Sequence, residues 1–216
     1  MGLPLKNKQT RGIAPFESHA QRYEKWFENH EPAYRSELDA IRTLLPRFRS
    51  GIEVGVGTGR FSIPFGITNG IEPARSALRI AHSKDVEAVQ AVGEALPFAS
   101  SSFDFALIVT TICFFTDTLL ALKEVFRILE PGGSIVIGFV DKDSVLGRKY
   151  ARQKESPFYA EATFYGVEEI ARLLAESGFH RAEYVQTLFE GITEEIQQPR
   201  KGHGAGSFVV VRAVKQ

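Results

Sequence analysis

Three glycines on alternate positions, Gly55, Gly57 and Gly59, follow a short apolar run in GIEVGVGTGRFS (residues 51–62), and Glu53 lies inside that run. Glycines this closely spaced let a backbone approach a ligand with no side chain in between. Turns of this kind after a strand commonly cradle phosphates. The dinucleotide pattern is G-x-G-x-x-G, however, and the spacing here is G-x-G-x-G. A carboxylate at Glu53 would repel a pyrophosphate, yet it could orient a cationic amino group directly or through water. Glu72, thirteen residues after Gly59, closes a second apolar run. A carboxylate there can accept hydrogen bonds from both hydroxyls of a ribose. Together the two acids point to an adenosine-bearing ligand held without a pyrophosphate.

These residues need a scaffold, and the surrounding pattern supplies one. From Gly51 onward strand and helix signals alternate. GIEVG is a short strand, Arg60–Phe65 a brief helix, ITNGIEP a second strand, and Ala74–Ser83 has helical character. VEAVQAV reads as a third strand, and FDFALIVTT, the most apolar, as a central strand covered on both faces. Thr118–Leu129 is an amphipathic helix with Leu119, Leu122, Val125, Phe126 and Leu129 on one side, stopped by EPGG before the strand SIVIGFV. This alternation implies a parallel sheet with helices on both faces. Helices are expected again over Ser144–Lys154 and Val167–Ser177. The last two strand-like runs, RAEYVQTLF and SFVVVRA, have only the polar loop EGITEEIQQPRKGHGAG between them, so they are expected to pair antiparallel at one edge. Before the core, Tyr23, Trp26 and Phe27 share one helical face, Pro32 marks a break, and Tyr34, Leu38, Ile41 and Leu45 continue at helical spacing.

The 216 residues suit one domain with a real core. We divide it into an N-terminal helical cap (1–48), a ligand-binding core (49–140) and C-terminal substrate-side helices and antiparallel strands (141–216). With 26 basic and 26 acidic residues the net charge is zero, which does not suit a nucleic-acid partner. Cys113 is the single cysteine, so neither an internal disulfide nor a cysteine-based zinc site is expected, and no histidine has metal-ligand spacing. No apolar run reaches 18 residues and Met1–Thr10 lacks the apolar stretch of a secretory signal. The expectation is a cytoplasmic protein, off the membrane, without a metal, and a monomer or homodimer.

Taken with the opening turn, GEALPFASSSFDFALIV (93–109) and LKEVFRILEPGGSIVIGF (122–139) carry a resemblance. From about Tyr34 to Phe139 the chain resembles the class I S-adenosylmethionine-dependent methyltransferases, in particular the small-molecule branch with a methyltransferase-11-type domain. The resemblance implies a Rossmann-like, seven-stranded, mostly parallel sheet with an antiparallel C-terminal strand. It also implies S-adenosyl-L-methionine as cofactor and S-adenosyl-L-homocysteine as product. Carried over by position, Glu53, Gly55, Gly57 and Gly59 would hold the methionyl end and Glu72 the ribose. The backbone around Glu94 and Ala95 would border the adenine, and Thr110 and Thr111 would line the region near the sulfonium. One position departs from the family: Val92 stands where an acid often reads the adenine amino group, leaving that task to Glu94 or to the main chain.

Seventeen phenylalanines are many for this length. Tyr23, Trp26, Phe27, Phe114, Phe115 and Phe158 are candidates for a hydrophobic acceptor pocket, and Phe164, Tyr159 and Tyr165 are also available. Ordinary core packing is the alternative for each. His203, in the second G-x-G-x-G of GHGAG, is read as part of a hairpin loop, with a contact or base role open. No catalytic acid or base stands out. The function expected is methyl transfer to a small molecule, with an amine favoured because a nitrogen lone pair needs least help. The rivals are a non-catalytic cofactor-binding protein of the same fold, an RNA or protein methyltransferase, and a nicotinamide-dependent oxidoreductase.

Overall fold

The computed structural model describes residues 13–216; the reading of Met1–Thr10 lies outside them. Two helices lead, α1 (Ile13–Asn29) and α2 (Glu31–Leu44). The break between them falls at His30, and Pro32 sits in the first turn of α2, where its missing N–H costs nothing. The alternating core follows as β1 (Gly51–Val54), β2 (Asn69–Ile71), α3 (Arg75–His82), β3 (Glu87–Val89), β4 (Phe103–Val109), α4 (Thr118–Ile128) and β5 (Leu129–Val140). The chain closes with α5 (Val145–Arg152), α6 (Val167–Glu176), β6 (Phe179–Thr187), β7 (Arg200–Lys201) and β8 (Phe208–Lys215).

The strands form one sheet in the order β3-β2-β1-β4-β5-β8-β6-β7. β1 to β5 are mutually parallel, and β8 runs antiparallel between β5 and β6. The expected mostly parallel sheet with an antiparallel end is thus present, but with eight strands instead of seven. The extra one is β7, two residues of the predicted loop that pair with Val185 and Gln186 on the outer edge of β6. The helix expected over Arg60–Phe65 is only a 3-10 turn, Ile63–Phe65. Its early stop has a local cause: Gly66 takes a left-handed φ of 70°, which ends the turn.

Alternation along β4 shows how the sheet divides the core. Ala106 and Ile108 join the cluster under α4 and α6, and Phe105, Leu107 and Val109 join the one under α1 and α2. Every one of these side chains is buried, which is why this strand reads as an unbroken apolar run. The order of chain travel reverses between β1 and β4, since β2 and β3 lie to one side and β5 to the other. A crevice must open beyond the carboxyl ends of those two strands, and ligands of open α/β sheets bind there.

Candidate active site

Two adjoining cavities occupy that crevice. The smaller, about 70 Å³, is lined by the glycine turn after β1 (Gly55, Gly57), the end of β2 (Glu72) and the segment Val92–Glu94. Thr110 and Thr111 after β4, with Phe115 beyond them, complete its wall. Gly55 and Gly57 take φ of 78° and 54°, a region that side-chain-bearing residues rarely enter. Gly55 also has no room for a side chain: a Cβ would stand 2.2 Å from Thr111 Cγ2. Thr111 in turn donates its hydroxyl to the Gly55 and Val109 carbonyls, each at 3.1 Å, so the ends of β1 and β4 are tied together.

Glu72 is held by main-chain donors on both oxygens, Gly57 N–H at 2.9 Å and Ala74 N–H at 2.8 Å. Each oxygen keeps a lone pair for a further donor in the cavity. Burial pushes its carboxyl up to about 7, against these two hydrogen bonds. Glu53 lies beneath the turn, almost fully buried and outside both cavity linings. Its Oε2 has no hydrogen-bond partner, and burial holds the group well above the carboxylate range despite hydrogen bonding from Ser62. Gly59 also falls outside the lining; a Cβ there would meet Ile63 and Val86 at 3.0 and 3.3 Å, so it serves packing behind the turn.

On the side expected for adenine, Glu94 lines the cleft, but Ala95 does not. The Glu94 carboxylate already accepts from the Thr116 and Asp117 N–H groups at 2.6 and 3.2 Å, fixing the approach to α4.

The larger cavity, about 360 Å³, has the size of a small-molecule site. Phe16, Tyr23, Thr110 and Phe114 line both cavities and so form the boundary between them. Phe16 packs edge-on against Tyr23 and Phe114, with centroids 5.3 and 5.1 Å apart. Thr110 has a left-handed φ of 50°, uncommon for a β-branched residue, and its side chain bonds to that of Tyr23. Burial keeps the Tyr23 phenol protonated, with that hydrogen bond as a partial offset. Trp26, Phe27 and Phe158 line the larger cavity, as does Phe164; Phe115 lines only the smaller one.

α1 is fastened over the turn by charge. Arg60, directly after Gly59, gives Glu24 two hydrogen bonds, at 2.9 and 2.8 Å, and Lys84 gives a third at 2.9 Å; the Thr58 hydroxyl bonds the same carboxylate. Burial works against ionisation of Glu24, but these donors together hold it below the usual carboxylate range.

His203 stands apart. It is exposed, touches neither cavity and packs edge-on against Tyr184 at 5.0 Å. The pocket expectation for it is therefore corrected: its loop rides the outer edge of the sheet beside β6 and β7. Cys113 does line the larger cavity, but burial raises its thiol to about 12 and its Sγ faces the Thr110 carbonyl at 3.4 Å. A thiol so protonated is no nucleophile. Cys113→Ala is expected to keep methyl-transfer activity within about twofold, measured as S-adenosylhomocysteine formed with an accepted substrate; loss of turnover would restore a covalent role.

Sequence reading missed Phe16, Phe61, Tyr150 and, above all, Glu37, which line the larger cavity. Phe16 was within reach, since Phe16, Tyr23 and Phe27 follow helical spacing. Among the described residues no cluster of three or more His, Cys, Asp or Glu could hold a metal ion, and no helix is long and apolar enough to cross a membrane.

Comparison with known proteins accords with this geometry. The family model described as "Methyltransferase domain" matches residues 52–137. An uncharacterized protein of Methanocaldococcus jannaschii is 38% identical over 202 residues, 93% of this chain and 98% of the relative. An uncharacterized protein of Mycobacterium tuberculosis is 36% identical over 206 residues, 91% of this chain and 72% of the relative. Among solved structures, a SAM-dependent methyltransferase from Thermotoga maritima, described as a possible histamine N-methyltransferase, superposes with a TM-score of 0.92 at 44% identity, covering 95% of this chain and 100% of that one. Sheet topology, the glycine turn and these matches agree: the chain belongs to the class I S-adenosylmethionine-dependent methyltransferases.

Proposed function

We propose that the enzyme methylates a small aromatic amine, with the cofactor in the smaller cavity and the acceptor in the larger. The observation that carries this reading is the shared boundary of Phe16, Tyr23, Thr110 and Phe114 between an adenosine-type cleft and an aromatic-lined cavity. The residues of the cleft fit the cofactor. Gly55 and Gly57 leave their main chain bare, Glu72 offers lone pairs for ribose hydroxyls, and Val92–Glu94 border the side left for adenine.

S-adenosylmethionine, when bound, supplies a methyl already activated by a positive sulfur. What remains for the chain is alignment and exclusion of water. Alignment of two reactants can be worth about 7–11 kcal/mol of barrier. Aromatic faces near a cation add about 0.5–2 kcal/mol each, and Phe16, Tyr23 and Phe114 stand where such faces are needed. The ion pairs of Glu24 with Arg60 and Lys84 fasten α1, which carries Phe16 and Tyr23, over the turn. A small molecule as the acceptor, without nucleic acid or membrane, suits a cavity of about 360 Å³ and a chain of zero net charge. The Thermotoga protein, described as a possible histamine N-methyltransferase, supports the same reading.

The test is a mass-spectrometric panel of aromatic amines, phenols, aromatic carboxylates, total RNA and a mixed protein extract, each with S-adenosylmethionine. Amine acceptors are expected to gain 14 mass units per transfer, the mass of a methylene, and to outpace the carboxylates by at least tenfold. Turnover confined to carboxylates, RNA or protein would overturn the reading, and no turnover on any class would favour a non-catalytic binding protein.

A further inference from the structure

α2 buries one face, made of Ala33, Ser36, Glu37, Ala40, Ile41 and Leu44. Two members of that face are polar, and only one is accounted for by packing. Ser36 donates to the Pro32 carbonyl at 2.7 Å and accepts from the Gln197 N–H at 2.8 Å, joining α2 to the loop before β7. Glu37 is 4% exposed, lines the larger cavity, and makes no hydrogen bond or ion pair with any described residue. An unpaired carboxylate in such a place is costly to ionise. A helix that needs only packing there would be better served by leucine. Removing a charge from water becomes favourable when a cation arrives to meet it.

The surroundings select the cation. Tyr23 from α1, Tyr34 from α2 itself, Tyr150 from α5 and Tyr159 from the following connection all lie within electrostatic range of Glu37. Tyr150 and Tyr159 stack at 4.5 Å. A carboxylate among rings matches an organic ammonium: the acid takes the N–H groups and the rings take the cation and its apolar body. We infer that Glu37 is the specificity-determining residue of the acceptor site, binding a protonated amino group of an aromatic amine at the buried end of the cavity, while a second, unprotonated nitrogen of the same acceptor supplies the lone pair that takes the methyl. This rests on the methyl-transfer reading and deepens it by naming the group that selects the acceptor.

A proton accompanies the binding. Burial raises the empty-pocket carboxyl to about 8, so at pH 7 Glu37 is mostly protonated. Pairing with an ammonium ionises it, and one proton leaves for each amine bound. The facing phenols stay protonated, since burial raises Tyr23, Tyr34, Tyr150 and Tyr159, and Cys113 is raised likewise. Arg22 and Lys149 line the cavity where it meets solvent, and His30 is stacked on Trp26 at 4.9 Å. Proton exchange at any group other than Glu37 would persist when Glu37 is neutralised, which separates the two.

The experiment is calorimetric titration of the protein with benzylamine, 2-phenylethylamine and 3-phenylpropylamine at pH 7 in buffers of different ionisation enthalpy. 2-Phenylethanol and 3-phenylpropionate serve as uncharged and anionic counterparts, and S-adenosylmethionine is titrated in parallel. At least one amine is expected to bind tenfold or more tighter than either counterpart, with release of close to one proton. Glu37→Gln, which keeps shape and loses the charge, is expected to lower that affinity at least tenfold, to abolish the release and to leave cofactor affinity unchanged. Glu37→Asp is expected to retain the release with weaker binding. Equal affinity for amine and alcohol in the wild type overturns the inference even if Glu37→Gln fails to fold. So does unchanged amine binding or proton release in Glu37→Gln. Normal cofactor binding with no amine bound sinks the role of Glu37 alone, whereas absence of cofactor binding sinks the methyl-transfer reading beneath it.

Discussion

Gly55→Ala is expected to abolish cofactor binding at micromolar concentrations and to lower the unfolding free energy by about 3 kcal/mol or more. Two separate penalties combine there. The left-handed backbone costs a side-chain-bearing residue roughly 1 kcal/mol. The added Cβ would also stand 2.2 Å from Thr111 Cγ2 and 2.5 Å from Oγ1, so the two strand ends must part. Their separation breaks the Thr111–Gly55 hydrogen bond that shapes the floor of the cleft. The contact explanation makes a further demand. Adding Thr111→Ala removes the two nearest atoms and leaves only Cβ at 2.8 Å, so the double variant should recover part of the lost stability. Urea unfolding of the wild type, both single variants and the double variant checks this. Additive losses would mean that Thr111 is not what confines Gly55.

The second large effect concerns Glu72. Glu72→Ala is expected to weaken S-adenosylmethionine and S-adenosylhomocysteine binding by more than about a hundredfold, since two hydrogen bonds to a charged acceptor are worth about 1.5–3 kcal/mol each. A pH signature accompanies it. Ribose hydroxyls donate, so they favour the ionised carboxylate, and burial has raised that carboxyl to about 7. Cofactor affinity should therefore rise from pH 6 to pH 8 and level off above. For stability the sign is the reverse: a carboxyl whose folded value is raised stabilises the fold below its unfolded value, and that contribution fades as pH rises through about 7. Glu72→Gln should flatten the affinity profile, because an amide does not titrate. Calorimetric titrations at three pH values test both statements, and an unaltered pH slope in Glu72→Gln would assign the slope to another group.

The alternating core was legible because its signals are local. β4 is apolar on both faces and buried on both; the glycine turn announces where β1 ends; and the two late strands lack any helix between them. Short elements were less so. Arg60–Phe65 has helical residues but only one 3-10 turn, and β7 owes its strand geometry to pairing with β6, which no local pattern signals. In the site, Glu72 and the glycines could be placed from spacing after a strand. Gly59 and Glu53, which spacing groups with the turn, and Ala95, which the family resemblance set beside the adenine, show the limit: packing decides that none of them faces the cleft.

Glu37 escaped for a different reason. Tyr34, Leu38, Ile41 and Leu45 give the helical stripe its largest side chains, but three of these four are only half-buried. The face that α2 buries is rotated by about one residue, toward Ala33, Glu37, Ala40 and Leu44. Small residues mark where a helix comes closest to its neighbours, and hydrophobic size alone pointed past them. Once the face is drawn through the alanines, the acid in its midst is the outlier. His203 is the opposite error. A repeated glycine spacing invited a site, although the same spacing between the edge strand β7 and the inner strand β8 has a loop to build and no cleft to line.

The central claim is that the crevice beyond β1 and β4 holds S-adenosylmethionine. Its most direct test is isothermal titration of the purified protein with S-adenosylmethionine and S-adenosylhomocysteine, with NADH as the control. The account predicts micromolar binding of the first two at one site per chain and no heat from NADH. Binding of NADH in their place, or of neither cofactor form, would contradict it.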